Sequence, residues 1–306
     1  MNNFLSLIEK PTRVLVIDCD DSRMLEASIF FKNHKNILLT LLCDDENHTH
    51  ENRLFISEKE KQALKQDFLL RKKKKETLEQ VDALFKDKLY SAAMLVEQNK
   101  FDVLVAGLVH NTASVLRCAL KCIGVKNGVK RISGNAILTK NKEQLIFADV
   151  AVNTKVNQAT LLEIAQNAAY FAKSLNIEPK VAFLSYSTNL SAPTKEALAI
   201  NKVAKRFAKK HNDIKSIGEI QFDAAIDLAT QKQKFKVENP EKYNVMVFPN
   251  LDSSNISYKV AERLGNYKMS GPFISGLNKV VNDLSRGSSV EGIIETIVIS
   301  ALQAQK

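Results

Sequence analysis

The chain has 306 residues, 45% of them apolar and 25% charged, which is long enough for two domains and typical of a soluble globular protein. No stretch approaches the ~18 uncharged apolar residues of a membrane-spanning helix, so no membrane partner is expected. A formal charge of +10 is explained first by lysines scattered over solvated helix faces, and otherwise by an anionic partner, either nucleic acid or a phosphorylated small molecule. Nucleic acid is the weaker alternative and is not expected, because the sequence has no Trp, no basic strand interleaved with aromatic residues and no zinc-finger spacing.

The amino-terminal segment and the cysteines predict a cytoplasmic protein. Residues 1–12 include Glu9 and Lys10 and have neither an apolar core nor a small-residue cleavage site, so export is not expected. The four cysteines are too few for a disulfide framework. Cys118 and Cys122 have helical i, i+4 spacing without companion ligands, which favours packing over a metal pair, and no metal site is predicted.

The first half of the chain opens with a β-α-β pattern. Residues 13–18 form a short apolar run with β-branched residues, which predicts a buried parallel strand. A helix is predicted over 23–31, preceded by an Asp or Ser cap, and a second strand over 36–43. Helical patterns follow at 59–75 and 76–98. This order predicts a doubly wound α/β domain.

Two polar segments in this half leave alternatives open. His48 and His50 lie in a polar loop close to Asp44, where a metal site is a weaker alternative to solvated side chains. Lys72–Lys75 follow Arg71 at a predicted helix end, where the lysines are either solvated or in contact with a phosphate.

A third buried strand is predicted over 101–107, and it ends in a glycine. Asn111 and Thr112 then begin a helix that carries Arg117. This places backbone donors at the carboxyl edge of a parallel sheet, where open α/β folds bind ligands. Arg117 either faces that edge or is an ordinary surface arginine.

From residue 131 the pattern predicts a second α/β unit. Strands over 132–138 and 144–152 flank a turn cluster at 139–142, which predicts a hairpin. Helices and strands then alternate, with strands predicted at 180–187, 217–220 and 243–248 and helices at 157–175, 193–210 and 250–264.

The segment 282–291 places a hydroxyl and a guanidinium, Ser285 and Arg286, just before the last predicted helix, which runs from about Ser288 to Gln303. Helix N-termini favour anions, and arginine clamps a phosphate or carboxylate through two hydrogen bonds. The segment is therefore either an anion-binding turn or a capped helix with a surface arginine. Ser288 to Glu291 also matches a capping box.

Several segments, in colinear order over nearly the whole chain, resemble the phosphate acetyl/butyryltransferase family, and its phosphate acetyltransferase branch fits best. They are Val105–Gly107 with His110 and Thr112, Phe147–Asp149, Ser185–Thr188, Gly218–Ala225, Phe248–Leu251, Asn255–Ile256, Tyr258–Lys259, Gly271–Pro272 and Asn282–Gly287.

The resemblance implies two doubly wound α/β lobes of the isocitrate/isopropylmalate dehydrogenase type with an interlobe cleft. The lobes would comprise residues 1–130 plus 272–306 and residues 131–271, usually in a homodimer. The implied enzyme interconverts acetyl-CoA plus phosphate and acetyl phosphate plus CoA, by direct thiolate attack in a ternary complex. CoA, acetyl phosphate and inorganic phosphate are the implied partners, with CoA as a substrate and no further cofactor.

The resemblance also implies roles for individual residues. Ser285 would stabilise the developing oxyanion and Arg286 would hold the phosphoryl group. Arg71, Arg117 and Thr112 would contact substrate or CoA. These residue types suit the chemistry, since an oxyanion needs a donor and anionic substrates need fixed cations.

The chain departs from the family pattern at several positions. Asn189 and Leu190 replace a glycine-bearing loop, and Ser254, Ser257 and Lys74 stand at glycine positions.

The departure that bears on catalysis follows the motif serine. The family places a catalytic Asp seven residues after the motif serine, and that position here is Gly292. Glu291 is a tentative substitute base, although a neighbouring helical residue is turned by about 100°. The alternatives are a catalytically impaired or silent relative that binds CoA or acyl phosphate, and a phosphate butyryltransferase.

Overall fold

The computed structural model describes residues 2–45, 52–71 and 76–305. His48, His50 and Lys72–Lys75 lie outside these ranges. The chain divides into two compact units, Met1–Asn127 with Leu277–Lys306, and Gly128–Gly276. Within the described ranges, no helix is both long and apolar enough to cross a bilayer. No group of three or more metal-binding side chains is found among the same residues.

The secondary structure of the described residues alternates between strands and helices. The strands are β1 Thr12–Val16, β2 Ile37–Leu42, β3 Arg53–Leu54, β4 Val103–Ala106, β5 Ser133–Lys140, β6 Glu143–Ala148, β7 Lys180–Leu184, β8 Lys215–Ile220, β9 Val245–Val247, β10 Lys268–Ser275 and β11 Val280–Asp283. The helices are α1 Asn2–Leu5, α2 Ser22–Phe31, α3 Glu58–Arg71, α4 Leu78–Leu84, α5 Lys88–Glu97, α6 Thr112–Cys122, α7 Gln158–Ser174, α8 Lys195–Lys210, α9 Phe222–Ile226, α10 Leu228–Phe235, α11 Leu251–Arg263 and α12 Val290–Ala304.

The first unit is built on a parallel five-stranded sheet in the order β11-β4-β1-β2-β3. Helices α2 and α12 pack on one face, and α5 and α6 on the other. Because both faces are covered, β1 and β4 are almost continuous runs of buried apolar residues. From β1 the chain adds β2 and β3 on one side and β4 and β11 on the other. The strand order therefore reverses between β1 and β4, and the topological switch point lies at the carboxyl ends of these two strands.

The second unit has a mixed six-stranded sheet in the order β10-β5-β6-β9-β7-β8. The predicted hairpin is confirmed, because β5 and β6 pair antiparallel across a turn in which Asn141 has a φ of 55°. Strands β6, β9, β7 and β8 are parallel neighbours. Helices α7 and α8 pack against the sheet, and a separate apolar cluster joins strands β5 to β9 to α9 and α11.

The class predicted from sequence, mixed α/β with parallel sheets, is confirmed. The helical pattern at 76–98 divides into α4 and α5, because Asp87 accepts a hydrogen bond from the backbone N–H of Leu89 and starts a new helix. The last helix begins at Val290 rather than Ser288.

Candidate active site

The turn that follows β11 presents Ser285, Arg286 and Gly287, all exposed. Its internal hydrogen bonds run from the N–H of Ser288 to the carbonyl of Ser285 (2.9 Å) and from the N–H of Gly287 to the Ser285 hydroxyl (3.3 Å). The Ser285 oxygen accepts one hydrogen bond, which leaves its own O–H able to donate. The guanidinium of Arg286 forms no ion pair with any residue that the structure describes. The turn thus offers a donor and a cation side by side.

Helix α12 begins directly after this turn, and its cap differs from the sequence prediction. Ser289 is the N-cap, and its hydroxyl accepts from the N–H of Gly292 at 3.2 Å. The predicted capping box between Ser288 and Glu291 is therefore wrong, because the N-cap lies one residue later and the third residue of the helix is Gly292. Glu291 is exposed, with Oε2 3.4 Å from the Ser289 hydroxyl.

A glycine lets the end of β11 approach the end of β4 closely. Gly107 has a φ of 126°, and a Cβ there would lie 2.4 Å from both Asp283 Oδ1 and the carbonyl oxygen of Leu284. The N–H of Leu284 donates to the carbonyl of Ala106 at 2.6 Å. Any side chain at this position would push the β11 end away, so Gly107 sets where Ser285 and Arg286 emerge.

Buried carboxylates lie beneath this edge of the sheet. The Thr112 hydroxyl, at the start of α6, donates to Asp283 Oδ2. Burial raises the pKa of Asp283 to about 6. The hydrogen bond from Thr112 lowers this pKa in part, and the charge of Asp18 raises it. Burial also raises the pKa of Asp18, which accepts from the N–H of Leu108 at 3.3 Å. Asp283 thus connects the motif segment to the loop after β4.

This environment predicts a specific pH dependence of stability. Because the folded pKa of Asp283 (about 6) lies above its ordinary value of 3.8, the folded protein retains a proton that the unfolded chain releases. The stabilisation is present below pH 3.8 and is lost as the pH rises through 6. We expect the free energy of unfolding of the wild type to fall by up to ~3 kcal/mol relative to Asp283→Asn between pH 4 and 7, measured by urea denaturation.

Asp102 provides a control of opposite sign for that measurement. Burial alone would raise the pKa of Asp102, but the hydrogen bonds and charge of Arg13 lower it. The stability that depends on the Asp102 carboxylate is present above its unfolded pKa and is lost as the pH falls through its folded pKa. In Asp102→Asn the difference from wild type should therefore shrink towards acid pH. A pH-independent difference for Asp283→Asn would contradict the first expectation.

The structure brings some of the predicted site residues together and separates one of them. Thr112 bonds to Asp283, two residues before Ser285, so Thr112 and the motif share the carboxyl edge of the sheet. Arg117 lies on the second turn of α6, is exposed and has no ion pair with a described residue.

Arg71 lies elsewhere in the first unit. Its Nε is 3.0 Å from Asp67 Oδ1, and its Nη1 is 2.6 Å from Oε1 of Glu97, the last residue of α5. Two residues after Glu97, the side chain of Asn99 accepts a hydrogen bond from Lys279, the residue directly before β11. Arg71 is therefore paired near the start of β4 and β11, whereas Ser285 and Arg286 follow the end of β11.

The second unit has a cavity of about 770 Å³ at the carboxyl ends of β7 and β9. Its lining is largely apolar, and Ser185, Tyr186 and Asn250 add polar groups at its edge. The volume lies in the range of small-molecule pockets. Two of the sequence segments that carry the family resemblance, Ser185–Thr188 and Phe248–Leu251, contribute to this lining.

Sequence reasoning missed two residues of this edge, Asp18 and Asp283. The available signal was an acidic residue one or two positions after a short apolar run, in Val16-Ile17-Asp18 and Val281-Asn282-Asp283. Acidic side chains at the carboxyl ends of parallel strands meet at one edge of a sheet.

The fold and this edge define an α/β protein that presents an exposed hydroxyl and an exposed guanidinium at the carboxyl edge of a parallel sheet. The chain belongs to the phosphate acetyl/butaryl transferase family, whose family model matches residues 4–301. A phosphate acetyltransferase from Bacillus subtilis is 42% identical over 242 residues, which cover 79% of this chain and 75% of that relative.

Two solved structures are similar over almost their full length. A EutD phosphotransacetylase from Staphylococcus aureus has a TM-score of 0.91 and 34% identity, with 99% of this chain and 97% of that chain covered. A phosphotransacetylase from Streptococcus pyogenes has a TM-score of 0.92 and 32% identity, with the same coverage of both chains.

Proposed function

We propose that this chain is an acyltransferase that interconverts acetyl phosphate plus CoA and acetyl-CoA plus phosphate. The observation that carries the proposal is the exposed turn at Ser285 and Arg286, which pairs a hydroxyl donor with an uncompensated guanidinium. Family membership and the names of the similar proteins support it. They also make a catalytically silent relative the less favoured alternative.

The proposed reaction uses each of these groups in one step. The CoA thiolate attacks the carbonyl carbon of acetyl phosphate, a C–S bond forms, and the C–O bond to the phosphoryl group breaks. Ser285 donates to the carbonyl oxygen as negative charge develops there, and Arg286 holds the leaving phosphate. No metal or redox step is needed, and CoA enters as a substrate.

The proton of the thiol needs an acceptor, and Gly292 cannot supply one. We propose Glu291 for this role. It is exposed on the first turn of α12, and the predicted reciprocal cap with Ser288 is not formed. Its carboxylate is therefore not committed to a capping box and can turn towards a substrate bound at Arg286.

The test is turnover of the purified protein with acetyl phosphate and CoA. We expect the wild type to form acetyl-CoA and Glu291→Gln to be about 100-fold slower at pH 7. The defect should shrink as the pH approaches the pKa of the thiol, since thiolate then forms without a base. Equal rates in Glu291→Gln and wild type would reject Glu291 as the base.

Two further outcomes of this assay address the alternatives. A wild type without turnover that gains activity on Gly292→Asp would establish the silent relative. Faster turnover of butyryl phosphate than of acetyl phosphate would establish a phosphate butyryltransferase instead.

Other parts of the proposal extend the family resemblance. They are the dehydrogenase-like pair of lobes with an interlobe cleft, a homodimer, and binding of substrate or CoA by Arg71, Arg117 and Thr112. A cytoplasmic location is also proposed. It is supported by the four cysteines, all of them free thiols as a reducing compartment would leave them.

A further inference from the structure

The main chain of the turn that carries Ser285 and Arg286 is hydrogen-bonded to an arginine of helix α2. Arg23 is the second residue of α2, and its Nη1 donates to the carbonyl oxygens of Arg286 and Ser288, each at 2.9 Å. These contacts join residues 263 and 265 positions apart in the sequence. They act on the main chain of the turn, so Arg23 leaves the side chains of the turn free.

The other edge of the same guanidinium is held by Asp21. Arg23 Nε lies 3.0 Å from Asp21 Oδ1, and Nη2 lies 2.7 Å from Oδ2. Asp21 is also the N-cap of α2 and accepts from the N–H of Arg23 at 2.9 Å. The hydrogen bond from Arg23 lowers the pKa of Asp21, so the pair stays ionised at neutral pH. The start of α2 therefore presents a guanidinium whose orientation is set on both edges.

We infer that Arg23 is a positioning residue, which holds the Ser285–Ser288 turn in the conformation in which Ser285 and Arg286 meet the substrate. Its catalytic consequence rests on the proposed function, but its effect on the turn does not.

Peptide geometry links the two carbonyls to the active groups. In a trans peptide the N–H points opposite to the preceding C=O, so pinning the carbonyl of Arg286 directs the N–H of Gly287 away from Arg23. That N–H donates to the Ser285 hydroxyl oxygen, which in turn orients the Ser285 O–H. The turn itself is exposed and has few internal hydrogen bonds. Without Arg23, two carbonyls would have to turn to solvent, and Arg286 would sample a wider range of directions.

The experiment compares Arg23→Ala with a matched control, Arg13→Ala. Arg13 makes the same bidentate pairing through Nε and Nη2, with Asp102 (3.1 and 2.7 Å), but at the opposite end of β1 and without contacts to a turn in the described part of the chain. We expect Arg23→Ala to lower kcat by ~10- to 100-fold while the KM for CoA stays unchanged. Misplaced catalytic groups slow the chemical step but leave the binding of CoA intact. Arg13→Ala should lower the Tm and leave kcat unchanged.

A second measurement does not depend on turnover. Hydrogen–deuterium exchange of the peptide over residues 284–292 should speed up in Arg23→Ala and stay unchanged in Arg13→Ala. Arg23→Lys should recover little, since one ammonium group cannot pair with Asp21 and reach both carbonyls. Guanidinium ion, far below denaturing concentration, should restore part of the rate of Arg23→Ala.

The outcomes separate the two proposals. If the wild type shows no turnover but exchange rises in Arg23→Ala, the proposed function fails and the positioning role stands. If exchange and kcat both match the wild type in Arg23→Ala, the positioning role is wrong. If Arg23→Ala does not fold, Asp21→Ser keeps a helix cap and removes the carboxylate that orients Arg23, so it should show the same faster exchange.

Discussion

Replacing Arg286 by alanine should lower kcat/KM for acetyl phosphate by about 100- to 1,000-fold. The guanidinium is the exposed cation of the turn, and it would hold the phosphoryl group as charge develops on it. The loss should appear in kcat as well as in the KM for acetyl phosphate, because the leaving phosphate carries more charge in the transition state than in the ground state. Steady-state kinetics with each substrate varied in turn measures both effects.

Stability and a surface control should distinguish this effect from unfolding. Arg286 is exposed and has no ion-pair partner among the described residues, so Arg286→Ala should keep the wild-type Tm. Arg206→Ala removes another exposed arginine, on α8, and should keep both Tm and kcat. Wild-type kinetics in Arg286→Ala would show that the phosphoryl group binds elsewhere.

Replacing Glu219 by alanine should cost the largest amount of stability, about 3–5 kcal/mol. Glu219 is fully buried near the end of β8, and its carboxylate accepts three hydrogen bonds. The donors are the Ser187 hydroxyl at 2.9 Å, the backbone N–H of Leu190 at 2.6 Å and the side-chain amide of Asn201 at 3.0 Å. Alanine would leave these donors unpaired in the interior.

The loop held by Glu219 contains two residues in an unfavourable backbone conformation. Asn189 and Leu190 have φ values of 50° and 60°, a left-handed conformation that costs roughly 1–2 kcal/mol for a residue with a branched side chain such as leucine. The N–H of Asn189 donates to the Glu219 carbonyl, and that of Leu190 to its carboxylate. The family resemblance implies a glycine-bearing loop at Asn189 and Leu190, and the hydrogen bonds to Glu219 explain how two larger residues are kept in that conformation.

Urea denaturation followed by circular dichroism measures this effect, since the chain has no Trp to report by fluorescence. Glu178→Ala removes an exposed carboxylate from the same unit and should leave the urea midpoint unchanged. An unchanged midpoint in Glu219→Ala would mean that water satisfies the three donors.

Much of the fold could be predicted from local pattern. The apolar runs identified β1, β2 and β4, and the turn cluster after residue 138 identified the β5–β6 hairpin, because strand periodicity and turn residues are short-range signals. Helix starts were less certain. Ser288 and Ser289 are equally good caps in isolation, and only the path of the chain after β11 selects Ser289.

The sequence by itself determined the chemical character of the site, because Ser285 and Arg286 are adjacent in the chain and precede a helix. The tertiary structure decided what surrounds them. The bond of Thr112 to Asp283 spans 171 positions, and that of Arg23 to Arg286 spans 263. Neither can be read from spacing, since both depend on strand order, which places β11 beside β4 and α2 beside the turn. Arg71 pairs with Glu97, 26 positions away, because α3 packs against α5. Residue types set the chemistry that is available, and the order of strands sets which of those residues meet.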